Sequence, residues 1–282
     1  MQQKVWSYMN PLRRKLILST WRSPKEGNIY GKLTVDAQAA LSYLNYRSEK
    51  TGQKHTITHF VGRAIGQAIK ETPDINGFIR FGKFVPHKEV ALSFLIALEG
   101  GRNLGQVKLS GVDNMQIQDV SKALMSKAGK QRSGDDADLK QSLAALRVLP
   151  KWLIRPTLWL TGYITSSLGW SISFLGLRKF PFGSCMITSV GMFGLDEGWA
   201  PQTPFARTPL LILIGALREK PVAIEGKVVI RPQLTLTATI DHRFIDGAQG
   251  ANLANAVRSA FKEPWTMDGF DQDPRGRDHV SE

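Results

Sequence analysis

Residues 241–247, which read DHRFIDG, combine a histidine and two aspartates within one short stretch of chain. An unperturbed imidazole titrates at about pH 6.5, so His242 can take up a proton near neutral pH. Asp246 suits either a supporting role or the N-cap of a following helix, and Gly247 permits a tight turn. These residue types favour general-base catalysis, with a purely structural, hydrogen-bonded histidine as the alternative.

The sequence on either side of this motif indicates the elements that position it. Before it, apolar residues alternate with Thr235, Thr237 and Thr239, and a period of two predicts a strand over 233–241. After it, apolar residues recur at helical spacing, at Leu253, Val257, Ala260 and Phe261. His242 is therefore expected at a strand-to-helix turn, where rigid elements hold a polar side chain open to a ligand.

Other segments show the same two periodicities. Residues 57–71 have an apolar helical face and end before Thr72-Pro73, because the residue preceding a proline disfavours helix. Strands are also predicted at 31–36, 78–80, 89–98 and 210–217, and helices at 37–50 and 119–127. A hairpin turn is expected at 225–227 and a mobile loop at 130–138.

Composition is that of an ordinary globular protein with a sizeable core: 282 residues, 42% hydrophobic and 22% charged. A single cysteine, Cys185, excludes an internal disulfide and fits a reducing compartment. Since no CxxC or cysteine-protease signature surrounds it, a buried small hydrophobe is favoured over a nucleophile. The first residues lack the apolar run of a secretory signal, and we expect a cytoplasmic protein.

The formal net charge of +13 implies attraction to something anionic. A phosphorylated cosubstrate, an acidic carrier protein and an anionic membrane surface all fit, and so does a merely solvated basic surface. Nucleic-acid binding rests on charge alone, because the lysines and arginines are spread along the chain and no nucleic-acid module is present.

Residues 149–180 form an apolar segment that contains Trp152, Trp159 and Trp170. Arg155, Pro156 and several small polar residues interrupt it, so it lacks the roughly 20 consecutive apolar residues of a membrane-spanning helix. Two interpretations are open: packed helices that cover a pocket, or interfacial helices with tryptophan at the lipid headgroups. Residues 266–282 are polar and expected to be a disordered tail, which leaves 1–265 as one domain.

The segment TATIDHRFIDGAQGANL resembles the DHRxxDG signature of the catalytic domain of 2-oxo acid dehydrogenase acyltransferase subunits. Residues 33–37, 57–76 and 89–98 resemble further segments of that family in the same order, and 186–194, MITSVGMFG, resembles its T-I-T/S-x-x-G-x-F-G element. The resemblance covers about residues 10–265 and is weakest in the middle third.

This resemblance implies an α/β fold like that of chloramphenicol acetyltransferase, a two-layer sandwich of a mixed sheet with helices. It implies homotrimers, with active sites between neighbouring subunits. The implied reaction moves an acyl group between coenzyme A, as cosubstrate, and a thiol or hydroxyl acceptor such as a dihydrolipoyl group. The family's complexes rely on a lipoyl arm. Neither a lipoyl attachment site nor a subunit-binding segment precedes the motif region, so a stand-alone catalytic domain is expected. No metal is expected at its site.

The resemblance also assigns roles to single residues. His242 matches the family's general base, and Thr188 matches the hydroxyl that hydrogen-bonds the tetrahedral oxyanion. Ser189 ranks second, because neighbouring residues of a strand point to opposite faces. Asp246 matches a supporting residue that, in relatives of this fold, pairs with an N-terminal arginine; Arg13 and Arg14 are the candidates.

Two alternatives stay open from the residues themselves. Residues 149–180 could present an apolar wall or a membrane contact, which would favour a lipid or hydrophobic acceptor at the membrane surface. A non-catalytic trimeric scaffold is the other alternative. The presence of His242, Asp246 and Thr188 together argues against it, since a site without chemistry need not keep this set.

Overall fold

The structure, a computed structural model, describes residues 27–98, 103–133 and 150–276. Arg13 and Arg14 lie outside these ranges. The principal helices are α1 Gln38–Thr51, α2 Ile57–Glu71, α3 Ile117–Arg132, α4 Lys151–Gly162 and α5 Gly247–Lys262. The strands are β1 Asn28–Asp36, β2 Gly77–Arg80, β3 Lys83–Pro86, β4 Ala91–Leu98, β5 Asn103–Ser110, β6 Cys185–Ser189, β7 Leu210–Ile224 and β8 Lys227–Asp241.

Six of the strands form one mixed sheet in the order β1-β8-β7-β6-β4-β5. β6 runs parallel to both of its neighbours, β4 and β7, while the other pairs are antiparallel. β2 and β3 form a separate antiparallel hairpin. The mixed sheet and its helices confirm the predicted α/β fold class.

The main core lies between one face of this sheet and the helices. Side chains that alternate along β6, β7 and β8, among them Ile187, Ile212 and Leu236, join this core. The central helix α2 contributes Phe60, whose ring meets that of Phe261 edge-on at 4.9 Å between centroids. Because successive strand residues face opposite sides, Thr188 and the threonines of β8 lie on the face away from the helices.

Some strands are longer in the structure than the sequence predicted. β7 and β8 continue as a ribbon to a turn at Glu225 and Gly226, both of which adopt left-handed backbone angles. β3 and β5 were not foreseen. The predicted loop at 130–138 is wrong at its start, because α3 runs on through Arg132; residues 134–138 lie outside the described part of the chain.

The C-terminal segment differs from the expected disorder. Residues Pro264–Asp268 form a 3-10 helix in which Trp265, Met267 and Asp268 are buried. The carboxylate of Asp268 accepts hydrogen bonds from the Tyr43 hydroxyl and from the backbone N–H of Ile117, both at 2.7 Å. These buried partners, far away in the sequence, hold a segment whose own composition is polar.

Residues from 150 to 180 fold into α4, a π-helical turn at Tyr163–Leu168 and a 3-10 turn at Ser173–Leu175. Trp159 and Trp170 are exposed on this segment. Among the described residues, no helix combines the length and the apolar character required to cross a bilayer.

Candidate active site

His242 lies immediately after β8, half-buried, with its backbone N–H donating to the Gly27 carbonyl at 2.6 Å. Its ring Nδ1 is 2.8 Å from the Ile245 carbonyl oxygen. A carbonyl oxygen can only accept, so Nδ1 carries the hydrogen in this contact. In the neutral ring, the lone pair is then on Nε2. The backbone thus selects the tautomer that a general base requires.

Asp241 and Arg243 fix the turn that carries His242. The Arg243 guanidinium forms a forked ion pair with the Asp241 carboxylate, with Nε 2.9 Å from Oδ1. The backbone N–H of Arg243 also donates to Asp241 Oδ1 at 3.1 Å. The sequence analysis did not predict this ion pair. Two opposite charges two residues apart at the end of a strand could have indicated it. Such charge-assisted bonds restrict the backbone of the turn from which the imidazole projects.

Asp246 is the N-cap of α5 and is buried. Its Oδ1 accepts from the Ala248 backbone N–H at 3.0 Å, and the Gln249 side chain accepts from the Asp246 backbone N–H at 3.3 Å. This capping box satisfies orphan N–H groups of the first turn. The capping role is confirmed, whereas a supporting role in catalysis stays a prediction.

Gly247 is the first residue of α5, and its backbone is outside the left-handed region. A Cβ atom at this position would meet no atom within 4 Å. The turn therefore does not require a glycine at this position, and the Asp246 cap stabilises the start of α5.

Replacing Asp246 with alanine is expected to destabilise the fold by about 1 kcal/mol, because the first turn of α5 loses its cap. For a domain of this size the melting temperature should fall by about 3 °C. Asp246→Asn is the matched control, since asparagine caps helices as well as aspartate. Thermal denaturation followed by circular dichroism measures both, and equal losses in the two variants would contradict the capping argument.

Thr188 and Ser189 lie at the end of β6, on opposite faces of the strand. Thr188 pairs with Leu213, and Leu213 pairs with Thr237 of β8. His242 is five residues further along β8 from Thr237. Strand geometry therefore separates Thr188 from His242 by roughly 17 Å along the strands and roughly 10 Å across them. One chain does not bring these two residues together.

The sheet face that carries Thr188 is partly covered by residues 195–209. The Thr237 and Thr239 hydroxyls donate to the carbonyls of Gly198 and Ala200. Gly215 of β7 permits this close approach, because a Cβ atom there would lie 1.9 Å from the Asp196 carbonyl oxygen. The alternating threonines of β8 thus bind a loop as well as forming a strand.

An apolar cavity of about 220 Å³ lies between β1, β8 and α5. Asp246, Gly247 and Gly250 line one end of it, and Leu33 and Leu253 line its apolar walls. The cavity adjoins the helix cap on the helical side of the sheet, and it lies on the opposite face from Thr188.

Cys185 is fully buried in β6, and burial raises the pKa of its thiol well above the ordinary value. A thiol in this state stays protonated and out of reach of substrate, as predicted for a small core residue. In the part of the chain that the structure describes, no group of three or more histidine, cysteine or carboxylate side chains could hold a metal ion.

The other described histidines, His55, His59 and His87, are internal groups. Burial lowers the pKa of His59 and of His87 to about 4. His55 contacts the Ser121 hydroxyl at 2.7 Å, and its pKa is also lowered, chiefly by burial. His55 and His59 are buried, and His87 is half-buried against the rings of Phe78 and Phe180. His242 is therefore the strongest candidate base within the described ranges.

Comparison with known proteins agrees with this geometry. The family model of the 2-oxoacid dehydrogenases acyltransferase (catalytic domain) matches residues 11–141 and 175–268. The dihydrolipoyllysine-residue succinyltransferase component of the Haemophilus influenzae 2-oxoglutarate dehydrogenase complex is 25% identical over 236 residues, which cover 82% of this chain and 47% of the relative. The chain spans about half the length, or less, of the first curated relatives that it matches.

Solved structures show the same fold. A probable dihydrolipoamide acetyltransferase from Listeria monocytogenes superposes with a TM-score of 0.63 at 18% identity, covering 93% of this chain and 94% of the other. Chloramphenicol acetyltransferase superposes with a TM-score of 0.52 at 14% identity, covering 87% and 94%. The mixed sheet, the DHRFIDG turn at its edge and the family match over most of the chain lead to one conclusion. The chain belongs to the family of 2-oxo acid dehydrogenase acyltransferase catalytic domains and has the chloramphenicol acetyltransferase-like fold.

Proposed function

We propose that this protein transfers an acyl group between coenzyme A and a dihydrolipoyl thiol, at sites formed between copies of the chain in a homotrimer. The observation that carries the proposal is the His242 imidazole at the end of β8, whose Nδ1 is held by the Ile245 carbonyl, so that the neutral ring carries its lone pair on Nε2. The family match gives the reaction class, and the names of the relatives support a dihydrolipoyl acceptor. The single cysteine supports a cytoplasmic location.

The reaction proceeds in two balanced steps. Nε2 of His242 takes the proton from the acceptor thiol as its sulfur attacks the thioester carbonyl carbon of acyl-CoA. The former carbonyl oxygen becomes an oxyanion, which the Thr188 hydroxyl of a neighbouring copy stabilises by donating a hydrogen bond. The intermediate then expels the coenzyme A thiolate, which regains the proton from His242. A positioned base contributes about 10²- to 10⁴-fold, and one oxyanion donor about 10²- to 10³-fold.

The positions of the residues support a site shared between copies. Thr188 and His242 are too far apart within one chain to act on one carbonyl group, which requires contacts of about 3 Å to each. Just after β6, Met192 and Phe193 are 70% and 54% exposed, and Leu195 and Trp199 are also exposed. Large exposed apolar side chains close together in the sequence favour an interface between proteins, and we call 192–199 the apolar patch. A second copy that covers this patch would also bring its own residues toward Thr188.

The acceptor is tested with purified protein, acetyl-CoA or succinyl-CoA, and free dihydrolipoamide. We expect stoichiometric formation of coenzyme A and acyl-dihydrolipoamide, both resolved by chromatography, since a thiol assay cannot register an exchange that conserves thiols. Reactions without acceptor measure hydrolysis. Release of coenzyme A only with an apolar alcohol would contradict a dihydrolipoyl acceptor and favour a lipid acceptor. Absence of any acyl transfer in a folded, coenzyme A-binding trimer would favour the scaffold alternative.

A further inference from the structure

The family match omits residues 142–174, so most of the tryptophan-rich segment 149–180 lies outside the matched residues. Part of this segment packs against the loop that precedes β7. Gly162, at the end of α4, comes so close that a Cβ atom there would lie 2.3 Å from the Phe205 carbonyl oxygen. The π-helical turn Tyr163–Leu168 follows directly. The end of α4 therefore packs against the loop at residue 205, just before β7.

Arg207 is the charged group at this contact. Its guanidinium lies over the rings of Trp159 and Tyr163, at 5.8 and 5.1 Å from their centroids. Those rings are themselves stacked, with an interplanar angle of 6°. Arg207 adopts a φ of 52°, a left-handed conformation that residues other than glycine rarely adopt and that clusters at ligand sites. The aromatic faces orient the guanidinium without using its N–H groups.

Within the described ranges, Arg207 has no carboxylate partner. One hydrogen bond is observed, from Nη1 to the Ser167 hydroxyl at 2.6 Å. A guanidinium has five N–H donors, so most of the donors of Arg207 are available to an acceptor. Burial lowers the pKa of Arg207 from its ordinary value, and the charge of Arg243 lowers it further. The site therefore holds an excess of positive charge.

Two buried hydroxyls belong to residues that are adjacent in the sequence to Ser167 and Arg207, the two residues joined by this hydrogen bond. Ser166 is next to Ser167, and Thr208 is next to Arg207; they are 5% and 6% exposed. Among the residues that the structure describes, neither the Ser166 Oγ atom nor the Thr208 Oγ1 atom has a hydrogen-bond partner. A buried hydroxyl without a partner is costly and calls for an explanation. A bound oxyanion would supply acceptors to both.

The location relates this cluster to the reaction. Arg207 precedes β7 by three residues, and the Pro209 carbonyl accepts from the backbone N–H of Asp241 at 2.9 Å. Asp241 binds Arg243, so Arg207 lies at the end of the sheet from which His242 emerges.

We propose that Arg207, with the hydroxyls of Ser166 and Thr208, binds an oxyanion of the substrate, a carboxylate or a phosphate, beside the His242 turn. Ser166 lies outside the residues that the family model matches, whereas Arg207 and Thr208 lie inside them, so the cluster joins an unmatched segment to the family pattern. Assigning the anion to a substrate rests on the proposed acyl transfer, whereas the existence of the anion site does not.

The anion site is tested first without turnover. We expect succinate and inorganic phosphate, compared with chloride at matched ionic strength, to raise the melting temperature of the wild type by about 5 °C near saturation. Arg207→Gln should lose this shift, and Arg207→Lys should retain part of it. Arg258→Gln is the matched control, since Arg258 is exposed on α5 and bonds only to Asn255 among the described side chains. An equal shift in Arg207→Gln, or none in the wild type, would overturn the proposal.

Ser166→Ala distinguishes binding from packing. Removal of an unpartnered hydroxyl should leave the ligand-free melting temperature unchanged or higher, yet weaken succinate or phosphate binding several-fold by calorimetry. A lower melting temperature with unchanged anion affinity would assign the cluster a structural role only.

Kinetics then identify the source of the anion. If the acyl group supplies a carboxylate, Arg207→Gln should raise KM about 10-fold or more for succinyl-CoA and leave acetyl-CoA unchanged. If coenzyme A supplies a phosphate, both KM values and the calorimetric Kd of coenzyme A should rise together. An anion site in a protein without acyl transfer would sink the proposed function alone, whereas normal turnover with an insensitive Arg207→Gln would sink this inference alone.

Discussion

Replacing His242 with alanine is expected to lower kcat/KM for acyl transfer by at least about 100-fold, because the attacking thiol loses its proton acceptor. The loss should appear mainly in kcat, since the imidazole acts on the reacting proton and contributes little to binding of the coenzyme A nucleotide. Initial rates with acyl-CoA and dihydrolipoamide, followed by chromatographic detection of coenzyme A, measure the effect.

A matched variant separates the base from the turn that holds it. In His242→Asn, the side-chain amide can still donate to the Ile245 carbonyl in place of Nδ1. This variant should keep the wild-type melting temperature and assembly size and still lose activity as His242→Ala does. Retention of more than about a tenth of wild-type activity in His242→Ala, with an intact assembly, would remove His242 from the mechanism.

The parts of the fold that the sequence predicted are those encoded by local patterns. The alternation around Thr237 predicted β8, and the apolar face of 57–71 predicted α2 with its bounds. The turn between β8 and α5 was predicted by the same kind of information, since the Asp246 cap and its partners are adjacent in the sequence. Local rules suffice where the hydrogen-bond partners are local.

Features that depend on distant partners were not predictable in this way. The C-terminal 3-10 helix is ordered by Tyr43, which is 225 residues from Asp268. No local sequence pattern distinguishes Arg207 from other arginines. Its position over the rings of Trp159 and Tyr163 becomes visible only in the folded structure. The relation of Thr188 to His242 is of the same kind, because the strand register alone reveals that one chain keeps them apart.

Loss of the Thr188 hydroxyl is expected to slow acyl transfer by up to about 100-fold, less than the loss of His242, because one oxyanion donor is removed. Thr188→Val removes the hydroxyl and keeps the β-branched shape that suits β6. Each variant, His242→Ala and Thr188→Val, should therefore be nearly inactive by itself and should assemble normally.

Mixed assemblies of these two variants provide the sharper prediction. If each site takes His242 from one copy and Thr188 from its neighbour, random mixed trimers contain wild-type sites. A site is intact when the Thr188→Val copy supplies the histidine and the His242→Ala copy supplies the threonine. In a cyclic trimer that contains both variants, this holds at one of the three sites, so about a third of the sites are intact. Co-expressed, differently tagged chains purified through both tags should recover activity on this order.

The alternative geometry predicts a different result from the same experiment. If both residues acted within one chain, no mixed assembly would contain an intact site, and activity would stay near the mean of the two variants. Pre-assembled single-variant trimers, mixed without subunit exchange, give that baseline directly. Within one chain, the register of β6, β7 and β8 separates the Thr188 and His242 side chains by far more than the length of a hydrogen bond. If Thr188 is catalytic, mixed assemblies should therefore recover activity above this baseline.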